Sequence, residues 1–130
     1  MANPVKALLD TSVLIADVIP TGADEYAISV VSISELHFGV LRAKSPGEQQ
    51  RRLRRLSAIE RQFSALPITA NVARIHGSMA AVLAANKRTT QRRSMDLMIA
   101  ATAAAHGAEL FTHNGDDFRG LDDFLTVHQL

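Results

Sequence analysis

A chain of 130 residues is the size of one domain, and 47% hydrophobic with 21% charged residues is the balance of a globular protein, not of a disordered or fibrous one. It contains no cysteine, which excludes both a disulfide framework and a thiolate metal centre. The net charge of +1 points to no partner, but the charges are unevenly placed. Basic residues gather at Arg51, Arg52, Arg54 and Arg55 and again at Lys87, Arg88, Arg92 and Arg93, acidic ones at Asp116, Asp117, Asp122 and Asp123. Arginines on a helix are commonly a solvated face, yet a basic patch beside an acidic one also suits an enzyme that grips phosphates and holds a metal.

The first ten residues lack the basic and apolar regions of a signal peptide, and the apolar stretch over 97–105 is far too short to span a bilayer. A single cytoplasmic domain over residues 1–130, with no membrane association, is the expectation. In chain order, residues 5–9 form an apolar run broken only by Lys6 and closed by Asp10, Thr11 and Ser12, which reads as a buried strand. Ser12 can cap a short helix through Val13, Leu14 and Ile15. After a loop at Pro20, Thr21 and Gly22, residues 26–31 read as a second strand, and Ser32 to Glu35 opens a helix towards Arg42.

Ser45, Pro46 and Gly47 break the chain and start a helix. Its face is set by Leu53, Leu56, Ile59, Phe63 and Leu66, at spacings of three and four, with the arginines outside. Residues 67–69 read as a brief extended link or strand. Val72, Ile75, Met79 and Leu83 mark the next helix, residues 87–93 a basic loop, and Ser94 the cap of a helix ending at His106 and Gly107. Strands are expected at 109–112 and 124–127, with an Asn114-Gly115 turn between them. Strands alternating with helices predict a parallel sheet covered on both sides, a three-layer α/β/α domain. Gly-rich phosphate loops are absent, which removes the common nucleotide-binding readings of such a domain.

In an open parallel sheet, ligands bind beyond the carboxyl ends of the strands. Asp10 follows the first strand, Glu35 opens the helix after the second, Asp96 lies in the first turn of the last long helix, and Asp116 and Asp117 follow a late strand. Two carboxylates ~4 Å apart repel by roughly 4 kcal/mol at an effective dielectric near 20, so such a group takes up protons or recruits a cation. Oxygen donors without His or Cys favour Mg²⁺ or Mn²⁺. Each acid also has a plainer explanation. Glu35 completes a capping box with Ser32, Asp96 gains from the helix dipole, and Asp116 and Asp117 are ordinary turn residues. Asp10 alone resists one, because an acid ending a buried strand needs partners. His37, His76 and His106 read as surface or packing residues, and Thr11 and Ser12 either orient Asp10 or cap a helix.

These motifs also carry a resemblance. Leu8-Leu9-Asp10-Thr11-Ser12-Val13-Leu14-Ile15 resembles the opening block of PIN domains, in particular the VapC toxins of VapBC toxin–antitoxin pairs. Ser32-Ile33-Ser34-Glu35-Leu36-His37-Phe38-Gly39 resembles their second block. Asp96-Leu97-Met98-Ile99-Ala100-Ala101-Thr102-Ala103 with His106-Gly107 resembles the third, and Leu110-Phe111-Thr112-His113-Asn114 with Asp117-Phe118 the T-x-N-x-x-D-F ending. The resemblance implies a PIN fold, a Mg²⁺- or Mn²⁺-dependent endoribonuclease acting as a toxin, and a VapB-type antitoxin as inhibitor. Separately, the Glu35 helix carries Leu36, Phe38, Val40 and Leu41, more apolar residues than one face needs, which predicts a homodimer. Asp10, Glu35, Asp96 and Asp117 carry over as catalytic and metal-site acids; Asn114 and Asp116 are the alternatives for the fourth position. Where this family often has a Gly-rich stretch before the third acid, this chain has Gln91-Arg92-Arg93-Ser94-Met95. The alternative reading is a catalytically silent PIN-like module that binds RNA or protein. Phe38 and Leu41, on the Glu35 helix, belong either to the core or to a groove for an antitoxin helix.

Overall fold

In the computed structural model, which describes residues 3–86 and 94–130, the apolar run after Val5 forms β1 (Lys6–Leu9), buried at every position but its first. Burial on both sides is what a central parallel strand requires. β2 (Glu25–Ser29), β3 (Ser64–Leu66), β4 (Glu109–Thr112) and β5 (Val127–Gln129) join it in a five-stranded, wholly parallel sheet of order β3-β2-β1-β4-β5. α1 (Thr11–Ala16) and α3 (Pro46–Gln62) supply Val13, Leu14, Ile59 and the following Phe63 to a core with Ala7, Leu9, Ile28 and Phe111. α4 (Ala70–Ala85) and α5 (Ser94–Ala105) cover the other face with Val72, Met79, Leu83, Leu97 and Ile99 against Leu8 and Leu110. α2 (Val30–Leu41) contributes to both, through Val31 on one side and Ile33 and Leu36 on the other. The expected three layers are present.

Several boundaries differ from the sequence reading. α2 starts at Val30, because Ser29, not Ser32, is its cap: the Ser29 hydroxyl accepts from Val31 N–H at 3.0 Å. The two valines that looked like strand are the first turn of the helix, where tertiary pairing ends and the cap takes over. The helix at Pro46 ends at Gln62, with Phe63 extended, and the edge strand β3 precedes Pro67 instead of following it. Leu66, which continued the helical spacing, belongs to that strand; spacing alone does not mark a helix end that lacks Gly or Pro. Phe124 and Leu125 drop into a turn, both amides bonding Leu121 C=O, and β5 begins only at Val127. A short apolar run has no period long enough to separate these outcomes. The basic loop, including Lys87, Arg88, Arg92 and Arg93, lies outside the described residues. Among those described, no helix is long and apolar enough to cross a membrane.

Candidate active site

β1 is followed outward by β2 and β3 on one side, while β4 and β5 lie on the other, so the direction of the connections reverses between β1 and β4. Such a switch point opens a crevice at the carboxyl ends of the two strands. Asp10 directly follows β1, and its N–H donates to Phe111 C=O on β4 at 2.9 Å. Its side chain is only 4% exposed. A buried carboxylate needs donors, and two hydroxyls supply them. Ser12 Oγ donates to Oδ2 at 2.9 Å and Thr112 Oγ1 to the same oxygen at 2.8 Å. Each hydroxyl has one hydrogen, so its oxygen must be satisfied as an acceptor. The amides of the next loop do this: His113 N–H donates to Ser12 Oγ at 3.0 Å and Asn114 N–H to Thr112 Oγ1 at 2.9 Å. Ser12 therefore orients Asp10. It does not cap α1, whose cap position is Asp10 itself, with no capping bond from that side chain to the helix backbone.

Glu35 is braced in the same manner from the next residue along. Thr11 Oγ1 donates to Glu35 Oε1 at 2.6 Å and lies 2.8 Å from Ser32 Oγ. Since the Thr11 hydrogen is committed to the carboxylate, the buried Ser32 hydroxyl is the donor to Thr11. The capping-box reading of Ser32 and Glu35 fails: Ser32 lies inside α2, and no acid occupies the first turn of that helix. Residues 10, 11 and 12 thus tie two carboxylates from distant parts of the chain to one short turn.

Asp96 is half-buried in the first turn of α5, as expected. α5 delivers the chain to the beginning of β4, so its own start lies at the carboxyl end of the sheet, with the other acids. Met95, beside it, lines a cavity of about 450 Å³ with Thr11, Ile15, Ser34, Glu35 and Phe38. Asp117 is half-buried in a 3₁₀ turn (Gly115–Phe118) after β4, its N–H donating to Asn114 C=O at 3.0 Å. Asp116 is the exposed one of the pair. Its side chain is 91% accessible and meets Arg119 at 3.1 Å, which is the ordinary turn-residue reading.

A second cavity of about 440 Å³ shares Ile15 and Glu35 with the first, and is otherwise lined by Leu36, Leu56, Arg51, Arg52 and Arg55 among others. Three of the arginines read as a possible solvated face therefore border a groove that reaches Glu35. Two are already engaged: Arg52 donates to Gly39 C=O at 2.6 Å and pairs with Glu48, while Arg55 meets Asp17 at 2.7 Å and donates to Leu14 C=O at 3.2 Å.

Among the described residues, no three His, Cys, Asp or Glu side chains stand close enough to hold a metal ion by themselves. The donor set is nonetheless of the right chemistry for Mg²⁺ or Mn²⁺: it is oxygen only, and both described hydrogen bonds to Asp10 fall on Oδ2. Mg²⁺ keeps much of its water and is commonly held by one or two carboxylates plus substrate phosphate, so a ready-made cage is not required.

The PIN domain family matches residues 7–123, a span that contains all of these acids. The chain belongs to the PIN-domain family. It is 34% identical to Ribonuclease VapC5 of Mycobacterium tuberculosis, covering 96% of this chain and 94% of that one. It is 35% identical to Ribonuclease VapC4 of the same organism, over 88% and 90% of the two chains. Its fold superimposes with a TM-score of 0.81 on the crystal structure of VapBC-5, a member of the VapBC family of toxin–antitoxin systems from M. tuberculosis, at 34% identity and 98% coverage of both chains. In this PIN domain, sequence reasoning missed Ser32 and Thr112 as buried braces. The available signal was their position, a hydroxyl flanking an apolar run at the same sheet end as an acid.

Proposed function

We propose that this PIN domain, a single domain over residues 1–130, is a Mg²⁺- or Mn²⁺-dependent endoribonuclease acting as the toxin of a toxin–antitoxin pair in the cytoplasm. The observation that carries this reading is the pair of hydroxyl-braced carboxylates at the switch point, in a chain 34–35% identical to two proteins named Ribonuclease VapC. Asp10 and Asp96 would be the principal metal ligands, with Glu35 and Asp117 completing the acidic pocket. Bound there, the ion would lower the pKa of a water and neutralise charge on the phosphodiester. The chain's own residues do the rest. Ser12 and Thr112 fix the orientation of Asp10, Thr11 and Ser32 that of Glu35, and Glu35 and Asp117 accept hydrogen bonds from the attacking water. Arg51, on the groove adjoining Glu35, binds RNA phosphate.

A VapB-type antitoxin and a homodimer are the proposed partners. The chemistry fits: Phe38 and Leu41 are each 62% exposed on α2, beside the arginine-lined groove. The experiment pairs cleavage of total RNA with thermal melts. Wild type should cut in Mg²⁺ or Mn²⁺ and not in chelator. Mn²⁺ should raise the melting temperature, by an amount equivalent to about 2.7 kcal/mol at a hundredfold excess over its Kd. Asp96→Asn should keep the fold and abolish cleavage. Wild-type cleavage by Asp96→Asn would overturn the mechanism, and a melt indifferent to Mn²⁺ with uncut RNA would favour the silent binding module.

A further inference from the structure

Beyond the acids and their hydroxyl braces, one side chain on the last strand reaches the same loop from outside. β4 and β5 pair in parallel with Thr112 opposite Gln129, and the backbone ladder closes with Leu130 N–H donating to Thr112 C=O at 2.8 Å. Past that point the chain leaves β4 through His113, Asn114 and Gly115, and no described strand lies beside them. The Gln129 side chain takes that place. Its Oε1 accepts from Gly115 N–H at 2.5 Å, and its Nε2 donates to His113 C=O and to Leu130 C=O, both at 2.8 Å. In a parallel ladder, one residue donates to the carbonyl before its opposite number and accepts from the amide after it. The Gln129 amide makes this pair of bonds around Asn114. It acts as a surrogate peptide unit that prolongs the sheet by one residue.

Gly115 is shaped for the arrangement. A Cβ built there would stand 2.5 Å from Gln129 Oε1 and 3.4 Å from its Cβ and Cδ, so any larger residue displaces the amide. The loop held in this way bears on both halves of the site. His113 and Asn114 give their amides to Ser12 and Thr112, the two braces of Asp10, and Asn114 C=O anchors the turn that carries Asp117. We infer that Gln129 is a positioning residue for the acidic end of the sheet, acting through the backbone of His113 and Gly115. For its catalytic consequence the inference rests on the ribonuclease reading above; its structural content does not.

The test separates the two. Amide exchange is followed by NMR in the full chain, and cleavage of a defined RNA is measured in Mn²⁺, for wild type, Gln129→Ala, Gln129→Glu, Gly115→Ala and the Gln129→Ala/Gly115→Ala double variant. Gln129 is exposed, so melting should move little. In Gln129→Ala, Gly115 should lose about tenfold in exchange protection, as expected for one lost hydrogen bond. In the same variant kcat should fall roughly 10- to 100-fold, the usual effect of losing an outer support of a metal site, with KM nearly unchanged. Gln129→Glu keeps the acceptor and loses the donor, so it should retain Gly115 protection and recover part of kcat. Gly115→Ala should resemble Gln129→Ala, and the double variant should be no worse than Gln129→Ala alone, because both undo the same clamp. Unchanged Gly115 exchange in Gln129→Ala, full additivity in the double variant, or wild-type kcat despite lost protection would each overturn the inference. If the wild type cuts no RNA, the ribonuclease reading fails, and exchange and additivity still decide whether the clamp exists.

Discussion

The seam between β1 and β4 and the arginine flank of α3 both carry polar side chains next to Glu35, but they are built on opposite terms. At the seam, Asp10 and Thr112 are buried and meet across 102 positions of sequence. On the flank the ion-pair partners are local or exposed. Arg52 pairs with Glu48 one helical turn away, and Arg55 with an Asp17 that is two-thirds exposed. A buried polar group without a partner is costly, so the seam tolerates one arrangement; an exposed ion pair exchanges readily with water and salt. Rigid placement at the seam beside adaptable charge on the flank is the division of labour that the proposed metal-assisted cleavage of a flexible polyanion would call for.

The largest effect should follow from Asp10→Asn, which keeps the shape and an oxygen acceptor for Ser12 and Thr112 but removes the charge. RNA cleavage should fall by roughly 10³-fold or more, on the scale of deleting one main electrostatic contact to the transition state, while the melt stays near wild type. Full activity there would place the chemistry elsewhere than the seam. Thr112→Val comes next. It deprives Asp10 of a donor and leaves the Asn114 amide without its acceptor, so stability should drop by about 1–3 kcal/mol in a denaturant titration. Activity should fall by roughly 10- to 100-fold. Indifference to this change would mean that the braces are ornamental.

On α2, beside the flank, Phe38→Ser should leave stability within about 0.5 kcal/mol, as surface changes usually do, yet weaken retention of an antitoxin co-purified from the native operon. Unaltered retention would remove α2 from the partner surface. The smallest effect should be that of Glu48→Gln, which cuts an exposed ion pair and should cost less than about 0.5 kcal/mol. A larger loss would show the flank to be as tightly specified as the seam, and the contrast between them would disappear.

Much of this was legible without coordinates. The alternation of apolar runs and amphipathic helices determined a parallel three-layer domain, since a strand buried on both faces and a helix striped at spacings of three and four leave their periods in the residues themselves. Asp10 was marked for the same reason, an acid closing a buried run. What only the tertiary structure decided is which polar groups meet. Ser32 could cap a helix or brace a threonine, and Ser12 could cap α1 or orient Asp10. Their assignments follow from the approach of β4 to β1 and of α1 to α2, contacts whose hydrogen bonds depend on distances that local pattern does not encode. The shifted starts of α2 and β5 have the same origin: local propensity allows several boundaries within a few residues, and the partner strand and the available cap select one.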